Sequence, residues 1–562
     1  MFRGRNHSAR ALVRDSGRGG ALTNTDTAPV DLAATLAAVE AALWAADLPR
    51  AMGLAADAVG GGASHPTLLG LAGLGRMHAG DNQGALPLLL RAREQTPRHV
   101  DLLNALGECL TRLGRPREAL EAFDTALAIA PDARLYFGRA MALEDLSELD
   151  FARAAFEQVV RLNPAQSEAL SRLALLAIQR GDASAARGLA TRALAIDPRD
   201  PTARIALANA ALEQKDMATA ERQVSALVQD PNLGPSNRAY ALSLAGDILD
   251  AQDRTAEAFA AYGASKAVQR DAFAPAMAGL ESVRARELRL ADYFRRADPQ
   301  VWRGSPQVDE HTHVFLVGFP RSGTTLLEQV LASHPDVAAM EERTCLMDSA
   351  VEFFGSDAGL DRLAALSDDE LGHWRKAYWK RVAETQPPLS KPVFVDKMPL
   401  NAVFLPLIAK LFPHAKILLA LRDPRDVVLS CFRRRFAMNA GMFEFTALET
   451  AAAYYAVAME LVQIYAQLLA HAPFQARHES LVADFDGETK RLCDFLGLEF
   501  RSEMRAFAGR AKAQNIDTPS SIQLARGLND AGLAQWRRYE AQLEPVLSTL
   551  APFVARFGYP EN

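Results

Sequence analysis

Between Gly318 and Thr325 the chain reads GFPRSGTT, which places one arginine and three hydroxyl side chains around two glycines. Gly318-x4-Gly323-Thr324-Thr325 has the spacing of a phosphate-binding loop in which Thr324 stands where a lysine is usual. Glycines let the backbone curl so that its N–H groups converge, and a helix starting after the loop adds its amide end. Ser322, Thr324 and Thr325 supply further donors, and Arg321 a planar guanidinium that matches a tetrahedral oxyanion. The chemistry implied is the grip of a phosphate-like group. The missing lysine argues against transfer from a nucleoside triphosphate, which relies on that lysine and Mg²⁺. Asp396 is the nearest candidate for a metal-holding strand-end aspartate, and Lys397 adjoins it. A donor whose transferring group carries less charge fits better.

The loop needs a strand before it and a helix after it. HVFLVGF supplies the strand, and TTLLEQVLASH has helical character. KPVFVDK and AKILLALRD are two more short apolar runs, each followed by a helical pattern. Short strands alternating with helices predict an α/β domain with a central parallel sheet in three layers. In such sheets ligands sit beyond the carboxyl ends of the strands. Gly318–Thr325, Lys397 and Arg422 all fall at such ends, so three strand ends bring charge together.

The first half follows a different rule. Pro97, Pro131, Pro164, Pro198 and Pro231 recur at intervals of 33 or 34 residues, and Gly80, Gly114, Glu148, Gly181 and Lys215 mark turns on the same beat. Within a unit, Ala119, Phe123 and Ala126 share one helix face, Gly107 stands where two helices cross, and Pro131 ends the second helix. One such hairpin cannot bury its own apolar stripe, so neighbours must stack. The period and pattern resemble tetratricopeptide repeats. The predicted organisation is a disordered tail at 1–30, a helical repeat solenoid at 31–285, a helix and linker at 286–311, and the α/β domain at 312–562.

PRSGTTLLEQVLASHP resembles the 5′-phosphosulfate loop of the sulfotransferases that use 3′-phosphoadenosine-5′-phosphosulfate (PAPS). AKILLALRDPRDVVLSCF, about 100 residues on, resembles that family's 3′-phosphate segment, with Arg422 and Ser430 in the clamping positions. The arginine in the loop is most similar to the tyrosylprotein sulfotransferase branch. The resemblance implies PAPS as donor. It places Arg321, Ser322, Gly323, Thr324, Thr325 and Leu326 around the 5′-phosphate and sulfuryl group. It also makes Glu342 the base that deprotonates a hydroxyl acceptor, with Glu341 as the alternative one residue away, and Lys397 a cation for the leaving oxygen. TPSSIQLARGLNDAGLAQWRRY resembles the loop that covers the donor, giving Ser520 and Arg526 as contacts. Where the tyrosylprotein branch carries an arginine two residues beyond its base, this chain has Thr344, which weakens the expectation of an acidic tyrosine peptide. His478 lies where relatives place an aromatic near adenine, and reads equally as a buried, hydrogen-bonded histidine. Arg433, Arg434 and Arg435 form a basic run, of which one or two could edge the site's mouth.

A net charge of −6 over 562 residues gives no global field for nucleic acid or a membrane surface. No apolar stretch approaches the length of a membrane span. The four cysteines are far apart without metal or redox spacing, which suits a reducing, cytoplasmic setting. Abundant alanine and arginine suit a GC-rich bacterial genome. The expected partner of the repeats is a protein, peptide or glycan acceptor, with homodimerisation as an alternative use, and no metal is expected. Two other functions fit parts of the sequence: a P-loop kinase, against which Thr324 and the Arg422–Ser430 pair argue, and a non-catalytic repeat adaptor with an inert nucleotide-binding domain.

Overall fold

A computed structural model describes residues 31–302, 304, 311–385, 389–469, 471–513, 527–530 and 532–561. The chain forms two compact units. One comprises residues up to Ile178 together with Asp182–Leu207, the other Gln179–Gly181 together with Ala208–Asn562.

The first unit is a run of antiparallel helix hairpins, from Leu32–Trp44 and Leu48–Gly60 to Ser167–Gln179 and Ala183–Ile196. Its repeat has a local cause. Each hairpin corner holds one residue in the left-handed region, and these are Ala46, Gly80, Gly114, Ser147 and Gly181. The corner of the fourth hairpin is thus Ser147, one residue before the expected Glu148, which instead stands at the N-cap position of the following helix without a side-chain cap bond. At three corners an aspartate follows and caps that helix: Asp47, Asp81 and Asp182 accept from backbone N–H groups at 3.1, 2.7 and 2.9 Å. Phe123 is fully buried between hairpins, and a Cβ on Gly107 or Gly138 would stand within 2.6 Å of its ring. Glycine at those crossings is therefore a packing requirement.

The second unit opens with helices of the same kind and continues into the sheet. Helices α1 (Pro235–Ala251) and α2 (Thr255–Met277) form its last hairpin of repeat type. Five strands follow: β1 (Thr312–Gly318), β2 (Val337–Glu341), β3 (Val393–Lys397), β4 (Lys416–Leu421) and β5 (Phe474–Arg477). They pair in the order β2-β3-β1-β4-β5, every pair parallel. Val314 and Leu316 pack on one face of the sheet, Phe315 and Val317 on the other, and all four are fully buried. Burial on both faces explains why the strands read as continuous apolar runs. Helix α3 (Thr324–Ala332) follows β1, α4 (Pro424–Arg433) follows β4, and α5 (Leu448–Tyr465) is packed into the core on the Phe315 side. The chain is thus a helical repeat solenoid followed by a three-layer α/β domain with a central parallel sheet. The four cysteines are buried and free, and among the described residues no helix is long and apolar enough to cross a membrane.

Candidate active site

The loop after β1 begins at Gly318, where a Cβ would meet the Ala420 carbonyl oxygen of β4 at 2.8 Å. Arg321 and Gly323 both lie in the left-handed region, with φ of 72° and 95°. Ser322 N–H, between them, closes a turn on the Phe319 carbonyl at 3.1 Å. Gly323 is the N-cap of α3 and offers no side-chain cap, which leaves the first amides of the helix for a ligand. Arg321, Gly323, Thr324, Thr325 and Leu326 line a cavity of about 440 Å³, whereas the Ser322 side chain is buried off its wall.

The cavity's second wall comes from β4 and α4. Arg422 follows the strand and donates to the Arg321 carbonyl at 3.3 Å and to that of Gly532. Ser430, on the cavity side of α4, accepts from Arg321 Nε at 3.0 Å. Arg434, just past the helix, also lines the cavity. Burial and the guanidiniums of Arg434 and Arg422 hold the Arg321 pKa below its ordinary value, though an arginine so shifted remains a cation at neutral pH. His478 packs against Gly323, and burial followed by Arg422 and Arg321 pushes its pKa down to about 3. The imidazole is neutral, so the positive charge comes from the arginines. Asp426 Oδ2 lies 3.9 Å from Arg422; burial raises the Asp426 pKa to about 6. Arg321, Arg422 and Arg434 bring positive charge to one cavity, whose wall also carries Asp426 and Glu342, an arrangement suited to an anion with more than one charge.

At the other end lie β2 and β3. Lys397, the last residue of β3, is fully buried and off the cavity wall. Its ammonium donates to Glu342 Oε1 at 2.8 Å and lies 3.2 Å from Glu328 Oε2 and 3.9 Å from Glu341 Oε1. Burial works against its charge, but Glu328, Glu342 and Glu341 outweigh that and raise the pKa above the ordinary lysine value. Glu341 pairs with Lys397 in the sheet register. Glu342 comes just after β2, at φ 26°, with its N–H bonded to the Lys397 carbonyl at 2.8 Å. Its side chain is 42% exposed and reaches the cavity; Glu341 is not on that wall.

The structure therefore brings Arg321, Gly323, Thr324, Thr325, Leu326, Arg422, Ser430 and Glu342 to one cavity, with Lys397 behind Glu342. Ser520 and Arg526 lie outside the described residues. Trp536 is buried, with Arg425 stacked 3.7 Å over its ring. Sequence reasoning missed Glu328, whose spacing within α3 is that of a core position, and left Arg434 undistinguished within its basic run. It also missed β2, whose five residues VAAME carry too little β-branched character to stand out. Part of the wall hangs on the α1–α2 hairpin. Arg433 pairs with Asp250 and Tyr262, Lys266 Nζ donates to the Arg434 carbonyl at 2.6 Å, and Arg435 stacks 3.2 Å over Tyr240. Among the described residues no cluster of three His, Cys, Asp or Glu could hold a metal ion.

Residues 313–502 match the model of the sulfotransferase family. Residues 76–143, 177–242 and 137–201 match tetratricopeptide-repeat models. The chain thus carries a sulfotransferase-family domain that follows tetratricopeptide repeats. Within that family it resembles the protein-tyrosine sulfotransferases. It is 26% identical to protein-tyrosine sulfotransferase 1 of Danio rerio, over 44% of this chain and 72% of that one. It is also 26% identical to a putative protein-tyrosine sulfotransferase of Caenorhabditis briggsae, over 44% and 88%. An uncharacterized protein of Aquifex aeolicus is 28% identical over 44% of this chain, which spans only 33% of that relative's length. Among solved structures, a tetratricopeptide repeat protein from Parabacteroides merdae superposes with a TM-score of 0.33 at 18% identity, covering 42% of this chain and 92% of that one.

Proposed function

We propose that the chain transfers a sulfuryl group from PAPS to a hydroxyl acceptor, releasing adenosine 3′,5′-bisphosphate. The observation that carries this reading is the 3.0 Å bond between Arg321 and Ser430. It joins the loop after β1 to the wall from α4, which supports one site able to take a nucleotide phosphorylated at both its 5′ and 3′ positions. The amides of Gly323–Thr325 and the Arg321 guanidinium hold the 5′ end, and Arg422, Ser430 and Arg434 the 3′-phosphate, a group that ordinary nucleotides lack. PAPS supplies an activated sulfuryl group on a phosphate leaving group. In the transfer the acceptor's O–H proton passes to the Glu342 carboxylate. A new O–S bond forms as the S–O bond to phosphate breaks, and Lys397 offsets the charge left on the phosphate oxygen. Peptide tyrosine, a glycan and another hydroxyl compound remain the acceptor classes. The names of the relatives favour the first, and repeats able to hold a protein partner suit it.

Calorimetric titration tests the reading. Wild-type protein binds adenosine 3′,5′-bisphosphate more tightly than 5′-AMP, and Arg422→Ala weakens the bisphosphate far more than the monophosphate. Equal losses for the two nucleotides would count against a 3′-phosphate site.

A further inference from the structure

The ammonium of Lys397 stands among three carboxylates that differ in their access to water. Glu342 is 42% exposed and on the cavity wall, and Glu341 is 32% exposed at the strand edge. Glu328 is only 4% exposed and comes from the interior, on the second turn of α3. In this arrangement the Glu342 carboxylate is bonded to Lys397 and stands between it and the cavity. One oxygen of that carboxylate is taken up by the lysine, and an ammonium so covered cannot reach a leaving oxygen. Glu342 must therefore turn outward for the transfer proposed above. When it does, a fully buried lysine loses its shortest contact, and burial alone favours the neutral amine.

We propose that Glu328 is a positioning residue: its buried carboxylate keeps Lys397 charged and aimed along the end of β3 while Glu342 leaves to serve the acceptor. Geometry supports the division of labour. Glu328 sits on the helix that begins at the loop after β1, so this counter-charge is fixed to the donor side of the site and does not turn with Glu342. Burial raises the Glu328 pKa to about 7, against the opposing pull of Lys397, and Glu341 and Glu342 add to the rise. Losing the Glu342 charge from beside Lys397 removes part of that repulsion and favours ionised Glu328 when the lysine depends on it. The inference rests on the sulfotransfer reading for its kinetic consequence but not for its charge-holding claim.

The test is Glu328→Gln in the full chain, which preserves shape and removes charge. With wild-type affinity for adenosine 3′,5′-bisphosphate, kcat for sulfate transfer falls roughly 10- to 100-fold, the loss that follows removal of a group orienting a catalytic one, and Glu328→Asp recovers part of it. In parallel, NMR titration of [13Cε]lysine-labelled protein, with Lys397→Arg for assignment, shows the Lys397 midpoint falling in Glu328→Gln. An unchanged midpoint with wild-type kcat overturns the proposal. So does an equal loss of kcat and bisphosphate affinity with a lowered melting temperature, which marks a purely structural role. If Glu328→Gln does not fold, the midpoint is read in Glu328→Met, which fills similar buried space without charge; an unchanged value there overturns it too. Failure of the parent reading has a different signature: the wild type transfers no sulfate and does not bind the bisphosphate, while the NMR midpoint still decides the role of Glu328.

Discussion

At Gly323 two constraints meet. Its φ of 95° is a left-handed conformation, and the Nδ1 of His478 stands 3.0 Å from where a Cβ would be. Gly323→Ala should cost about 1–2 kcal/mol from backbone handedness alone, and more from displacement of the imidazole. Thermal denaturation reads the first effect, and loss of adenosine 3′,5′-bisphosphate affinity the second. Glu342 shows where sequence reading stopped. Glu341 and Glu342 are adjacent, and a one-residue slip exchanges their roles. The register separates them: Glu341 is the last paired residue of β2, while Glu342 turns out of the strand at φ 26° to reach the cavity, which favours Glu342 as the proton acceptor. Glu342→Gln should lower transfer by roughly 10²–10⁴-fold, the usual worth of a general base, while leaving bisphosphate titrations near wild type. Loss of transfer in Glu341→Gln instead, with Glu342→Gln active, would move the proton acceptor by one residue.

Among the elements, the strands β1, β3 and β4 and the phosphate loop were legible because buried parallel strands are written as unbroken apolar runs. So was the repeat, because its corners and crossings demand particular residues. Strand β2 was not, since an alanine-rich edge strand leaves no such run, and the support given by the α1–α2 hairpin was not, since those contacts join residues more than 150 positions apart in sequence. That hairpin yields a prediction of its own. Lys266 and Tyr240 are not cavity residues, yet they hold the Arg434 carbonyl and the Arg435 guanidinium. Lys266→Met and Tyr240→Ala should each weaken adenosine 3′,5′-bisphosphate binding severalfold with little change for 5′-AMP, the same selectivity expected of Arg422→Ala. Identical losses for both nucleotides would show that the hairpin supports the fold in general and not the 3′-phosphate wall.

For the molecule as a whole, a net charge of −6 coexists with a cavity walled by Arg321, Arg422 and Arg434. The attraction felt by an anionic nucleotide is therefore local and is screened within about 10 Å at 0.1 M salt. Bisphosphate affinity should fall steadily as ionic strength rises, and less steeply in Arg434→Ala; parallel salt slopes would exclude that guanidinium from the anion site. The strand order has a consequence for how the chain acquires its shape during synthesis. Strand β1 leaves the ribosome before its partners β3 and β4, and β2, which comes next, pairs with β3 and not with β1. The central strand must therefore wait about 75 residues for its first neighbour, with an apolar, unpaired edge on each side. Non-local pairing of this kind is slow and prone to aggregation. A chain stalled between Gly318 and Val393 would present a folded repeat array joined to a sticky strand, which makes that interval the window in which a chaperone has most to do.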